Sequence, residues 1–141
     1  MAEISDKNVA KARPVFRNIH VTQILRYRLP WAGKVSILHR VSGALLFLAL
    51  PLVLLPLFDL SLTSEISFDR FREVVGQWWV KLILFVLLWG YLHHFCAGLR
   101  YLVLDVHVGT EKEAAQKSAI AVLAVSLGLT LLIGLKFFGV F

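Results

Sequence analysis

Three stretches of this chain stay apolar for longer than the buried helices of a small soluble domain require. They run from about Ser36 to Phe58, from about Trp79 to Leu104 and from about Ala119 to Phe138. Each reaches the roughly 20 residues with which a helix crosses a hydrocarbon core. In lipid every backbone N–H and C=O must pair within its own segment, which leaves helix as the economical choice. The pattern predicts an all-α membrane fold with three transmembrane helices. Residues 1–35 form a basic N-terminal segment and residues 36–141 a three-helix anchor domain. Pro51 and Pro56, in the outer half of the first run, are expected to kink it or end it early.

Composition agrees. The chain is 58% hydrophobic and 17% charged over 141 residues, whereas soluble domains carry roughly 25% charge. The formal net charge of +6 is crowded at the N-terminus. Nucleic acid would not explain so much apolar surface; a basic rim facing anionic lipid explains both features. Lys7, Lys11, Arg13, Arg17, Arg26, Arg28 and Lys34 precede the first run, while Arg70, Arg72 and Lys81 between the first two runs are offset by Asp59, Glu65, Asp69 and Glu73. By the positive-inside rule the N-terminus is cytoplasmic, the Asp105–Ser118 connection cytoplasmic and the C-terminus outside. The first thirty-odd residues hold no apolar core of a secretory signal, and Glu3 and Asp6 are unlike a mitochondrial presequence, which favours a bacterial inner membrane. A short interfacial helix is expected around Val21 to Arg28. Trp78 and Trp79 fit an interfacial belt, and Lys136 can snorkel. Cys96, the one cysteine, reads as a small residue of helix packing.

Polar side chains within apolar runs carry the functional signal, because a charge at the bilayer centre costs about 2.5–3.5 kcal/mol on insertion scales. Ser36, His39, Arg40 and Gly43 share one face of the first helix at i, i+3, i+4 and i+7. A hydroxyl, an imidazole and a guanidinium so arranged could hold a carbonyl headgroup or a carboxylate. Equally, Arg40 could snorkel to lipid phosphate while Ser36 caps the helix. In the second run Gly90, His94 and Gly98 form a stripe that would let a flat group, such as a porphyrin ligated by His94, approach the backbone. Small-residue helix packing, with His94 bonded across to a neighbour, fits the same stripe. His93 points about 100° away from His94, on the face of Trp89, Ala97 and Arg100, and reads as a packing or outer-sphere residue. Arg100 is expected to pair with Asp105 or to meet a haem propionate. His39 lies nearer the membrane surface than His94, so the second ligand of a bis-imidazole haem is better sought on a partner protein. Zinc-type ligand clusters, a phosphate-binding glycine loop and a nucleophile–base pair are absent from the sequence.

Two motifs resemble a known family. Arg28-Leu29-Pro30 followed by Ser36-Ile37-Leu38-His39-Arg40-Val41-Ser42-Gly43 resembles the signature of the cytochrome b556 subunits of succinate dehydrogenase. His94-Phe95-Cys96-Ala97-Gly98-Leu99-Arg100-Tyr101-Leu102-Val103-Leu104-Asp105 resembles that family's second motif, and Arg13-Pro14 its N-terminal Arg-Pro. The resemblance implies His94 as axial ligand to the iron of a haem b, His39, Arg40 and Arg100 toward the haem propionates, and Ser36 and Arg40 at a ubiquinone site. It also implies a four-chain complex. A flavoprotein oxidises succinate, an iron–sulfur subunit carries electrons, and a second small anchor supplies the other haem ligand; this chain does no chemistry on succinate itself. Tyr101 stands where many relatives have histidine, and it cannot carry positive charge. A quinol:fumarate reductase anchor and a cofactor-free three-helix membrane protein, with His94 as interhelical glue, are the alternatives.

Overall fold

The computed structural model describes residues 20–139. Arg13-Pro14 and the basic residues Lys7, Lys11, Arg13 and Arg17, which carry much of the expected orientation, lie outside the described residues, as do Glu3 and Asp6. A short helix α1 (Val21–Arg26) leads to α2 (Trp31–Ala49), a π-helical turn (Leu50–Leu54), α3 (Leu55–Leu62), α4 (Glu65–Gly76), α5 (Trp78–Asp105) and α6 (Lys112–Phe137). Three helical stretches are long and apolar enough to cross a membrane: Trp31–Leu62, Trp78–Asp105 and Lys112–Lys136. The described residues form an all-α fold of three membrane-spanning segments.

The first span starts at Trp31, five residues before the apolar run, because Pro30 at the N-cap is already extended at φ −64°, ψ 159°. The first turn then carries Trp31 and Lys34, with the ammonium 4.3 Å from the indole centroid. Pro51 and Pro56 do not end this span. Pro51 has no N–H to offer the carbonyl four residues back, and its ring crowds that carbonyl. The helix answers by widening for one turn, with the Leu55 N–H bonded to the Leu50 carbonyl, a local adjustment that lets a helix pass a proline. The segment after it, expected as a loop, holds the helix α4. Ser64 caps it reciprocally with Ser67: the Ser67 N–H donates to Ser64 Oγ at 3.1 Å and the Ser64 N–H to Ser67 Oγ at 2.8 Å, and both bonds satisfy groups that a helix end leaves open.

α5 closes on a tight turn. His107 adopts φ +62° while the Val108 N–H reaches the Val103 carbonyl and the His107 N–H the Leu104 carbonyl, the paired bonds of a Schellman cap. The chain reverses immediately into α6. α2, α5 and α6 pack on one another. Their interior is narrow and built from small or slender residues: Val35, Ala97, Ala119 and Val122. Large apolar side chains instead point outward, as with Phe47 at 76% exposed and Leu52 at 72%, the inverse of a soluble domain and what a hydrocarbon solvent allows. Trp78 and Trp79 are exposed at the start of α5. Buried hydroxyls on α6 are satisfied by their own helix: Ser126 donates to the Leu123 carbonyl and Thr130 to the Ser126 carbonyl, as hydroxyls in helices do.

Candidate functional site

His39 and Gly43 lie one turn apart on α2, and His94 and Gly98 one turn apart on α5. The two helices cross so that each histidine lies over the other's glycine. A Cβ placed on Gly43 would stand 2.8 Å from His94 Cε1 and 3.3 Å from its Nδ1, and one on Gly98 would stand 3.7 Å from His39 Nε2. Pairing of residue 39 with 98 and of 43 with 94 also shows that the helices run antiparallel. Only a residue without a side chain leaves room at position 43, because real Cβ contacts do not approach to 2.8 Å. The two imidazoles stack face to face at a centroid separation of 4.2 Å and an interplanar angle of 7°. The Tyr101 ring leans on His39 at 5.1 Å.

Hydrogen bonding orients the His94 ring. Its Nδ1 lies 3.0 Å from the His39 carbonyl oxygen and 3.3 Å from Ser42 Oγ. A carbonyl only accepts, so Nδ1 carries a proton, and Nε2 is the nitrogen that neither oxygen engages. Ser42, itself buried, sends its own hydroxyl proton to the same His39 carbonyl at 3.0 Å. Among the described residues nothing hydrogen-bonds to His94 Nε2. The result is an imidazole with a fixed ring plane and, among the described residues, one unused nitrogen.

The other expected site residues are distributed unevenly. Ser36 is half-buried one turn before His39, and Arg40 is exposed on the same side of α2, without a bonded partner among the described residues. Arg100 is not brought to His94. It is buried between α5 and α6, with Nε donating to Ser118 Oγ at 2.9 Å and Nη2 to the Ala115 carbonyl at 3.1 Å. Six residues along a helix place it about 120° around from His94. No ion pair joins it to Asp105, which is exposed and about 140° further round the same helix. Among the described residues the recorded ion pair is Lys117 with Glu113 on the surface. His93 is fully buried beside Trp89, at 5.6 Å between ring centroids. Its ring faces the Val35 backbone, yet neither nitrogen reaches hydrogen-bonding geometry, so it packs as expected. The Tyr101 hydroxyl is also buried without a bonded partner.

Two features correct the sequence reading. The glycine that admits the His94 ring is Gly43 on the neighbouring helix; Gly98 receives His39 instead, and Gly90 faces open space. The depth difference expected between His39 and His94 is bridged by side-chain reach, and the two rings meet. Ser42 and Gly43 had no assigned role in the motif. The repeat of His-x-x-x-Gly at 39–43 and 94–98 is a signal that could have drawn attention to these glycines, but not to which histidine each would receive.

These features define a class: a three-span helical membrane protein with an oriented imidazole beside a buried hydroxyl at the crossing of two spans. The family described as Succinate dehydrogenase/Fumarate reductase transmembrane subunit matches residues 10–133. The chain is 34% identical over 138 residues to a succinate dehydrogenase cytochrome b556 subunit of Paracoccus denitrificans, covering 98% of each. It is 31% identical over 114 residues to the Coxiella burnetii protein of the same name, covering 81% of this chain and 87% of that one. A Rickettsia felis protein of that name is 25% identical over 111 residues, covering 76% and 82%. The chain belongs to the family of succinate dehydrogenase/fumarate reductase transmembrane subunits.

Proposed function

We propose that this chain is a membrane anchor of succinate dehydrogenase that holds haem b through His94 and forms part of the site where ubiquinone is reduced. The observation that carries the proposal is the His94 ring seated over Gly43, with its proton committed to the His39 carbonyl and Nε2 left as a ligand. A metal-binding imidazole elsewhere is oriented the same way, by a bond from its other nitrogen. His39 would not supply a second ligand to the same group. Its ring lies flat on that of His94 at 4.2 Å and 7°, so the two imidazoles would point their lone pairs side by side and not toward one another. The second ligand then comes from the other small anchor. The iron–sulfur subunit delivers electrons, and the flavoprotein carries out the chemistry on succinate.

Haem b, when bound, supplies a one-electron store beside the quinone. The remaining steps belong to side chains of this chain. Arg40, exposed and without a bonded partner among the described residues, stabilises negative charge growing on a quinone oxygen, as preorganised donors do. Ser36 donates to the headgroup one turn earlier. Arg40 and His39 would be the residues to meet the propionates of a group held on His94. Arg100, with two donors engaged by α6, is better read as fastening α5 to α6 than as a propionate contact. The site lies at the cytoplasmic face if the basic N-terminus is inside, in a bacterial inner membrane, so that protons reach the quinone from that side.

The test is the complex purified through this chain. A b-type haem spectrum is expected, lost in His94→Ala. Haem retained in that variant by another residue of this chain overturns the assignment. Ser36→Ala and Arg40→Ala are expected to lower succinate:quinone reductase activity while succinate oxidation by an artificial dye persists; equal loss of both would indicate failed assembly. The family description also includes fumarate reductase, and turnover with ubiquinone against menaquinol separates the two directions.

A further inference from the structure

We infer that Ser42 is a positioning residue for the haem ligand: its hydroxyl holds the His94 ring plane and proton so that Nε2 faces the iron. This inference rests on His94 as the ligand. The contacts divide the work. Gly43 supplies room for the edge of the ring, and His39 covers one face. Both contacts hold the ring plane, but neither resists the ring being turned over by 180° about its Cβ–Cγ bond. Resistance comes from the two oxygens beside Nδ1, the His39 carbonyl at 3.0 Å and Ser42 Oγ at 3.3 Å.

Ser42 acts on both. Its hydroxyl is donated to the His39 carbonyl at 3.0 Å, which fixes the hydroxyl rotor and turns an Oγ lone pair toward Nδ1–H. A ring turned over by 180° would set a carbon against these oxygens and lose both bonds. The side chain is 6% exposed, so water does not replace it readily. Alanine would suit the helix better at this place, and a hydroxyl bonded back to its own helix is no gain for α2 by itself. The buried hydroxyl is explained by what it does across the interface.

The experiment uses the assembled four-chain complex with Ser42→Ala and Ser42→Thr. Two readouts report ligand orientation directly: the low-field g value of the oxidised haem in electron paramagnetic resonance, and the rate of haem transfer to apomyoglobin. Ser42→Ala is expected to shift the g value and to speed transfer on the order of 10-fold, the usual scale for loss of an outer-sphere partner. Ser42→Thr, which keeps the hydroxyl, is expected to restore both. Wild-type behaviour in Ser42→Ala overturns the inference, and so does an equal change in both variants, which would assign the effect to packing. If Ser42→Ala does not assemble, Ser42→Cys carries the test: its thiol bonds weakly in the same place, a smaller shift is expected, and an unchanged signal overturns the inference. Loss of haem in His94→Ala with no change at Ser42 sinks only this inference; a haemless wild-type complex sinks the reading beneath it.

Discussion

The two seams of the bundle use one device for different ends. At the α2–α5 seam Gly43 makes room for the imidazole of His94, and at the α5–α6 seam Gly134 makes room for the phenyl ring of Phe85, which a Cβ would overlap. Phe85 is held by dispersion and by an edge contact with Phe138 at 5.7 Å, so it acts as packing. His94 is gripped by two hydrogen bonds and leaves a nitrogen free. The same backbone approach therefore yields a packed joint in one place and an oriented imidazole in the other. What separates them is polar atoms beside the ring, not the shape of the notch. Arg100 marks the same division, since its donors serve α6 and tie two helices together.

Substitutions can break the comparison. The largest effect on the site is expected from Gly43→Ala, whose methyl group would stand 2.8 Å from His94 Cε1 and push the ring away. Haem content of the complex, read from its reduced spectrum, should fall severalfold or more, together with an overpacking cost of about 1–3 kcal/mol. Gly134→Ala should carry a similar cost of about 1–3 kcal/mol, seen as a lower melting temperature, but leave the haem spectrum unchanged. A spectrum altered equally by both would mean that the seams are not independent. Lys117→Ala removes a surface pair with side chains 76% and 81% exposed. Its effect on melting should be the smallest, about 0.5 kcal/mol or less, and a larger one would show that this end of α6 meets something beyond the chain.

Much of this was legible in the sequence. Trp79 to Leu104 was expected as a span and Trp78–Asp105 is helical, because length and apolarity alone decide that a segment crosses lipid as a helix. His94 stood out because an imidazole amid leucines demands a reason. The helix α4 was hidden by its charges, although Ser64-x-x-Ser67 is a cap and Phe68, Phe71 and Val75 share a face. The path of α2 past Pro51 was not legible either. Proline removes one bond, and whether the helix stops or widens depends on how the rest of the span is held.

Sequence by itself determined the three spans, because backbone pairing in hydrocarbon leaves one solution for each apolar run. It also singled out His39, Arg40 and His94 through their misfit with lipid. Tertiary structure alone decided which glycine serves which histidine, that Arg100 faces α6, and that the His94 proton rests on the His39 carbonyl. Those outcomes depend on the register between helices, and register is set by side chains meeting across a seam, which spacing along one chain does not encode.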